Sequence, residues 1–400
     1  MLRQLKVACV RVARIILDVF FLPVLILAAG TSRFAIKKID VGLGPLPLIN
    51  SISHKQALIR AGFSAETYCD SVWHIISDFD IRFDKMLPGP LALVRAYFAF
   101  VWSVFRYKVL YISFSGGALH STPLLAYIEP YLTTLADIKV VILPYGSDVY
   151  RADLCPDSKM AEAMDMDYPN NRVYLGRVRR KVESWSRHAD YVVSGCDWVD
   201  YMQSWDLLML SHFAIDTVDW SPSRTSGDKK SGDDGEIRIL HAPNHRALKG
   251  TSAFLAATEK LKSEGYRIQV VLLEKASNFE VRNAIESADI VVDQLVIGWY
   301  AMFSIEAMAM GRPVVCYLRE DLLEMYEAEQ LIDREQLPIV SATPDSIYDV
   351  LKMLIDDAEI RKELSTRGPW FVDRYHSICA IGKIFEFVNA QIGLKPAEVT

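Results

Sequence analysis

Residues 288–318, ADIVVDQLVIGWYAMFSIEAMAMGRPVVCYL, hold three structural units in tandem. Residues 289–293 form a short apolar, β-branched run, the pattern of a strand buried on both faces of a parallel sheet. Gly298 falls in the loop that follows. From about Met302 to Met310 the apolar spacing predicts a helix, stopped by Gly311 and Pro313. Residues 314–318 predict a second buried strand. In a strand–loop–helix–strand unit the loop leaves the carboxyl edge of a parallel sheet, where ligands bind and where a helix N-terminus favours anionic groups. One carboxylate, Glu306, sits inside the largely apolar helix, and a buried carboxylate needs a partner. A ligand's hydroxyl pair and a structural arginine both meet that need.

The chain has 400 residues, enough for two cores rather than one. Its hydrophobic content of 51% excludes a disordered chain. The net charge of −6, with no aromatic-studded basic run, speaks against nucleic-acid binding. The six cysteines are scattered without CxxC pairs, so they read as reduced thiols of a cytosolic protein rather than a disulfide frame or a zinc site.

Arg3, Lys6, Arg11 and Arg14 precede an apolar run at 15–30, IILDVFFLPVLILAAG. Asp18 and Pro23 interrupt it, and it falls short of a comfortable span of roughly 20 residues. Arg33, Lys37 and Lys38 follow, so the flanking charges give no orientation. A helix lying in the membrane surface is the expectation, with a true span and a helix docked on the protein as alternatives.

Strand patterns recur at 35–43, in AETYC and VWHII, and at 108–117, 138–151 and 189–199, which makes five or six in the first half. Helical spacing appears at 53–63 and in the very apolar stretch 91–106. Such alternation implies a parallel sheet with covered faces. Residues 221–235, SPSRTSGDKKSGDDG, contain no apolar residue and read as a linker. The second half repeats the alternation, with a helix beginning near Thr251 and another N-capped by Thr343 or Asp345. The expected fold class is α/β: two doubly wound Rossmann-like domains facing a cleft. The expected divisions are an apolar N-terminal helix (1–34), an N-terminal domain (35–220), the linker (221–235), a C-terminal domain (236–375) and a terminal helix returning to the first domain (376–400).

In HAPNHRALKG, Arg246 and Lys249 stand three apart between a strand and a helix mouth, where cations and free amides suit a diphosphate. A solvated turn would look the same, but Glu306 on a second loop of the same sheet edge supplies a ribose contact. Two acidic triplets, 78–80 and 165–167, could hold a metal–nucleotide, although such triplets arise easily by chance. Gly42-Leu43-Gly44 lacks the third glycine of a dinucleotide site, and Gly44 fits better as a tight turn that lets a sugar or phosphate approach the backbone.

These segments resemble the donor domain of the GT-B glycosyltransferases, in particular the large retaining family that includes glycogen synthases and bacterial polysaccharide and mannosyl transferases. The resemblance spans 39–392 and is strongest over 236–375. It implies that Arg246 and Lys249 neutralise the donor's diphosphate and that Glu306 contacts its ribose. The family's first glutamate, eight positions earlier and near the transferred sugar, would fall at Gly298. Backbone amides of residues 297–300, including Trp299 and Tyr300, are candidates to replace it. The resemblance also implies that the donor's own phosphate deprotonates the acceptor, so no dedicated base is needed. Asp148 and His120 are the candidates for sugar or acceptor contacts; for each, a loop residue bonded to backbone is the alternative.

The expectation is a transferase moving a sugar from a nucleotide donor, a uridine or guanosine diphosphate sugar, to a lipid-linked or polysaccharide acceptor with retention. It would act at the cytoplasmic face of the membrane, without metal or cofactor and without nucleic acid. A nucleotide-sugar epimerase on the same fold and a non-catalytic membrane scaffold are the rivals.

Overall fold

In the computed structural model, residues 2–72, 78–222 and 235–396 are described, residues 2–10 by their backbone alone. Seven strands form the first sheet: β1 (Ile39–Leu43), β2 (Ala65–Cys69), β3 (Ile81–Arg82), β4 (Tyr107–Ile112), β5 (Lys139–Ile142), β6 (Tyr191–Gly195) and β7 (Leu207–Met209). They lie in the order β3-β2-β1-β4-β5-β6-β7. Five more form the second: β8 (Ile237–His241), β9 (Ile268–Leu272), β10 (Ile290–Val292), β11 (Val314–Val315) and β12 (Ile339–Val340). Their order is β12-β11-β10-β8-β9. Every ladder is parallel. The expected pair of doubly wound sheets is what the chain forms.

The strand orders locate the crevices. In the first sheet the winding direction reverses between β1 and β4, and in the second between β8 and β10. The loops leaving those strands flank a switch point, where a doubly wound sheet leaves room for a ligand. The turn with Arg246 and Lys249 follows β8, and the loop with Gly298 follows β10. The loop with His120 follows β4, and the one with Asp148 follows the adjacent β5.

The N-terminal helix, Leu2–Ser32, packs one face on the helices Arg95–Arg106 and Leu125–Leu135. Asp18, Leu25 and Ala29 are fully buried on that face, at helical spacing. Asp18, which interrupts the apolar run, is a cap from a distance: its carboxylate accepts from the backbone amide of Leu124 (2.7 Å), at the start of the helix Leu125–Leu135. It also accepts from the hydroxyl of Tyr97 (2.7 Å). The docked arrangement thus holds for one face. The other carries Val12, Ile16, Val19, Phe20 and Leu27, all more than half exposed. By length and composition, 11–32 is also apolar enough to cross a membrane, with mean hydropathy 2.4.

Several local readings need correction. The segment 91–106 is not one helix: a 3-10 turn, Gly89–Leu93, precedes Arg95–Arg106. The 189–199 strand stops at Gly195, where a 3-10 segment begins. Neither Thr343 nor Asp345 caps the helix Ile347–Asp356; Ser346 precedes it. The backbone amide of Thr343 donates to Ser346 Oγ, and Asp345 pairs with Lys159. The strand at 314–318 narrows to Val314–Val315. Strands β3 and β7, too short for any periodicity, went unread. Most of VWHII and most of the linker, 223–234, lie outside the described residues. The terminal helix, Ile378–Gln391, packs on Asn50–Arg60 of the first domain, and Tyr111 donates to Asn389 (3.1 Å).

Candidate functional site

On the C-terminal side, Lys249 ends its turn buried against the edge of β10. Its ammonium donates to the Asp293 carboxylate and to Gln294 Oε1 (3.1 Å). Ser304 donates to the other oxygen of Asp293 (2.6 Å). Glu306 lies one turn into the helix Met302–Ala309, and its carboxylate makes no hydrogen bond or ion pair among the described residues. Burial pushes its carboxyl up to about 8, the Asp293 charge adds to that, and Lys249 opposes it. A partly buried carboxyl without a partner, beside a buried ammonium, has hydrogen-bonding capacity that ligand hydroxyls could satisfy. Arg246 stands apart: it is exposed and pairs with Glu274 (2.7 Å). The structure therefore brings Lys249 and Glu306 together, and Arg246 joins them only by leaving Glu274.

Gly298 has a packing reason. A Cβ there would collide with Cγ and Cδ of Arg319, whose amide donates to the Gly298 carbonyl (2.9 Å). The Arg319 guanidinium then reaches Asp200 of the first domain (2.5 Å) and Asp321 (2.6 Å). Trp299 and Tyr300 are buried and stacked on each other. Trp299 Nε1 donates to the Leu210 carbonyl (3.0 Å), and the Tyr300 hydroxyl meets His376 Nε2 (2.9 Å). Both rings line a cavity of about 180 Å³ between the domains, opposite Tyr145, Ser147, Asp197 and Trp198. Asp197, missed in the sequence, has its carboxyl pushed up to about 6 by burial.

On the N-terminal side, His120, Asp148, Ser147 and Lys181 line a second cavity of about 250 Å³. The carboxylate of Asp148 accepts from the amides of Phe114 (3.0 Å), Tyr145 (2.9 Å) and Gly146 (3.1 Å). It thereby fixes the loops after β4 and β5 to each other. Burial lifts its carboxyl to about 6 against the pull of those amides. His120 Nδ1 lies 3.1 Å from the Gly117 carbonyl, so the ring donates there and its Nε2 carries the free lone pair. Burial, then the Lys181 charge, lowers its pKa to about 4, so it is neutral at ordinary pH. Lys181 donates to the carbonyl of Ser115; burial and then Arg177 lower its ammonium to about 8. Its signal in the sequence was faint, one lysine in a basic helix. Gly44 lines neither cavity: a Cβ there would strike the Tyr68 carbonyl, so a neighbouring strand accounts for this glycine.

The two acidic triplets have protein partners. Asp80 binds Lys55 and Thr67; Asp165 pairs with Arg172. Asp167 accepts from the amide of Leu248 (2.9 Å), inside the turn that carries Lys249. Beside it the Tyr168 hydroxyl meets His245 Nε2 (2.7 Å).

No protein-family model matches the sequence, and no curated protein matches it. Solved structures do. Sucrose-phosphate synthase from Thermosynechococcus elongatus superposes with a TM-score of 0.58 at 13% identity, over 89% of this chain and 99% of that one. A trehalose-6-phosphate synthase studied for glycosyl transfer with retention gives 0.54 at 8% identity, over 90% and 100%. An alpha-glucosyltransferase in complex with UDP and DNA gives 0.52 at 12% identity, over 88% and 100%. These neighbours are glycosyltransferases built of two facing Rossmann-like domains, and this chain has their GT-B fold.

Proposed function

We propose that the protein is a glycosyltransferase that takes a sugar from a nucleoside diphosphate donor and passes it to an acceptor held by the N-terminal domain. The observation that carries this reading is the Glu306 carboxyl, unpartnered next to Lys249 at the switch point of the second sheet. In this reading Glu306 takes the ribose hydroxyls, and Lys249 with Arg246 takes the diphosphate. The acceptor lies in the His120 cavity on the facing domain. Its hydroxyl oxygen bonds to the anomeric carbon as the bond to the diphosphate breaks. The hydroxyl proton goes to the departing phosphate oxygen, on the same face, which retains configuration. The residues supply electrostatic stabilisation and exclusion of water. The apolar outer face of the N-terminal helix supports an acceptor at a membrane, lipid-linked or a growing polysaccharide.

Thermal shift against UDP, GDP and ADP, with and without magnesium, tests the donor half. A ligand that binds only the folded state raises the melting temperature with occupancy. One diphosphate should do so without the metal, and Glu306→Ala should weaken it about ten- to a hundredfold, the equivalent of ~1.5–3 kcal/mol. No shift with any nucleotide would leave the chain a GT-B scaffold.

A further inference from the structure

A third cavity, about 320 Å³, lies where the N-terminal helix meets the loop after β4 and the helix Asn171–His188. Arg11, Arg177 and Arg180 line it, together with Ser121, Thr122 and Tyr127, and no carboxylate among the described residues does. Among the described residues none of the three guanidinium groups has an ion-pair partner. Arg177 donates to the His120 carbonyl (3.1 Å). Arg180 donates to the Gly176 carbonyl (3.1 Å) and lies over the Tyr127 ring. These contacts aim the two side chains while leaving most of their N–H groups without an acceptor. Three like charges around one hollow repel, so the arrangement is suited to an anion with several oxygens, and planar guanidinium forks fit phosphate.

Two neighbours say where such an anion comes from. Arg177 also lines the cavity of His120, Asp148 and Lys181, so one side chain joins the basic hollow to the proposed acceptor site. Arg11 stands on the N-terminal helix one residue before its exposed apolar stripe, Val12, Ile16, Val19, Phe20 and Leu27. Exposed Arg33 and Lys38 lie just past the C-terminal end of that stripe. Apolar residues with cations at their borders match the interface of an anionic bilayer. Because Asp18 binds Tyr97 and Leu124, the helix stays along the body, with the stripe outward, rather than standing free as a span.

We propose that the Arg11–Arg177–Arg180 hollow holds the phosphate or diphosphate of a membrane lipid whose chains lie under the outer face of the N-terminal helix, the lipid being the acceptor or its carrier. This deepens the transferase reading and rests on it for the word acceptor; the lipid-phosphate site itself is tested without any transfer.

The test is co-sedimentation of the full chain with phosphatidylcholine vesicles doped with phosphatidic acid, against vesicles brought to the same surface charge with oleate. Binding to the phosphate-bearing vesicles should be about tenfold stronger, and Arg180→Gln or Arg11→Gln should remove that excess. Ile16→Glu with Phe20→Glu should abolish binding to every vesicle. Each variant should keep the melting shift with nucleotide, which shows it folded and separates this site from the donor site. Equal binding to phosphatidic acid and oleate, or arginine variants that bind like the parent, would overturn the site. A melting shift with glycerol 3-phosphate in solution, without preference for the vesicles that carry phosphate, would overturn the lipid and leave a soluble phosphate ester.

Discussion

The aliphatic part of Arg319 lies across Gly298 and carries the guanidinium onward to Asp200 of the other domain. An absent side chain at 298 thus makes room for an ionic tie between the domains. Gly298→Ala should push Arg319 aside and cost roughly 1–3 kcal/mol, the usual range for overpacking a filled site. Denaturant midpoints of Gly298→Ala, Arg319→Ala and the pair should be non-additive, the double variant losing less than the sum. Additive losses would mean that the two positions do not touch.

Lys249 and Asp293 form the buried pair of the second domain. Lys249→Met should strand the Asp293 charge with only Ser304 and cost about 3–5 kcal/mol. Lys249→Met with Asp293→Asn should recover part of it. Urea unfolding of the two variants decides the point.

Glu129 is buried beneath the loop of His120, with one oxygen accepting from the Leu119 amide and the other unpartnered. Burial raises its carboxyl to about 7, against the pull of that amide. Its folded pKa exceeds the unfolded value, so the protonated form stabilises the fold. That contribution is complete below about pH 4.5 and is lost as pH rises through about 7. Glu129→Gln should therefore gain on the parent as pH climbs from 5 to 8, by about 3 kcal/mol at most. Paired thermal melts across that range should show the gap widen; a constant gap would refute it.

Asp18 joins the N-terminal helix to the body through Tyr97 and the Leu124 amide. Asp18→Ala should leave both donors buried without an acceptor, at about 1–3 kcal/mol each. Backbone amides of 11–32 should exchange hydrogen faster, while those of β4 and β5 keep their protection.

Much of the architecture was legible because buried parallel strands are short β-branched runs and some of the helices between them, Thr251–Ser263 and Met302–Ala309 among them, stop at a glycine. Residues 288–318 carried that code nearly intact. What escaped was set by contacts between distant segments. Arg319 gives no local sign that it fills the space above Gly298, and two-residue β3 has no period to read. Glu306 stood out as a charge in an apolar helix, and its isolation is visible in the structure. Asp18 stood out in the same way, yet its partners lie 79 and 106 residues further on. A lone carboxylate in an apolar run therefore announces a partner, but not whether that partner is protein or ligand.

The carboxylate of Asp167, on the first domain, already holds the amide of Leu248 in the turn that carries Lys249. A phosphate taking that amide would displace an anion already in place, exchanging one charge-assisted hydrogen bond for another. In the transferase reading the net gain in affinity at this position would be small, while the Asp167 contact keeps the turn in shape. In the proposed transferase, a spent diphosphate would meet this carboxylate as a tethered competitor at high effective concentration, which would hasten its departure. Such an exchange trades tightness for turnover.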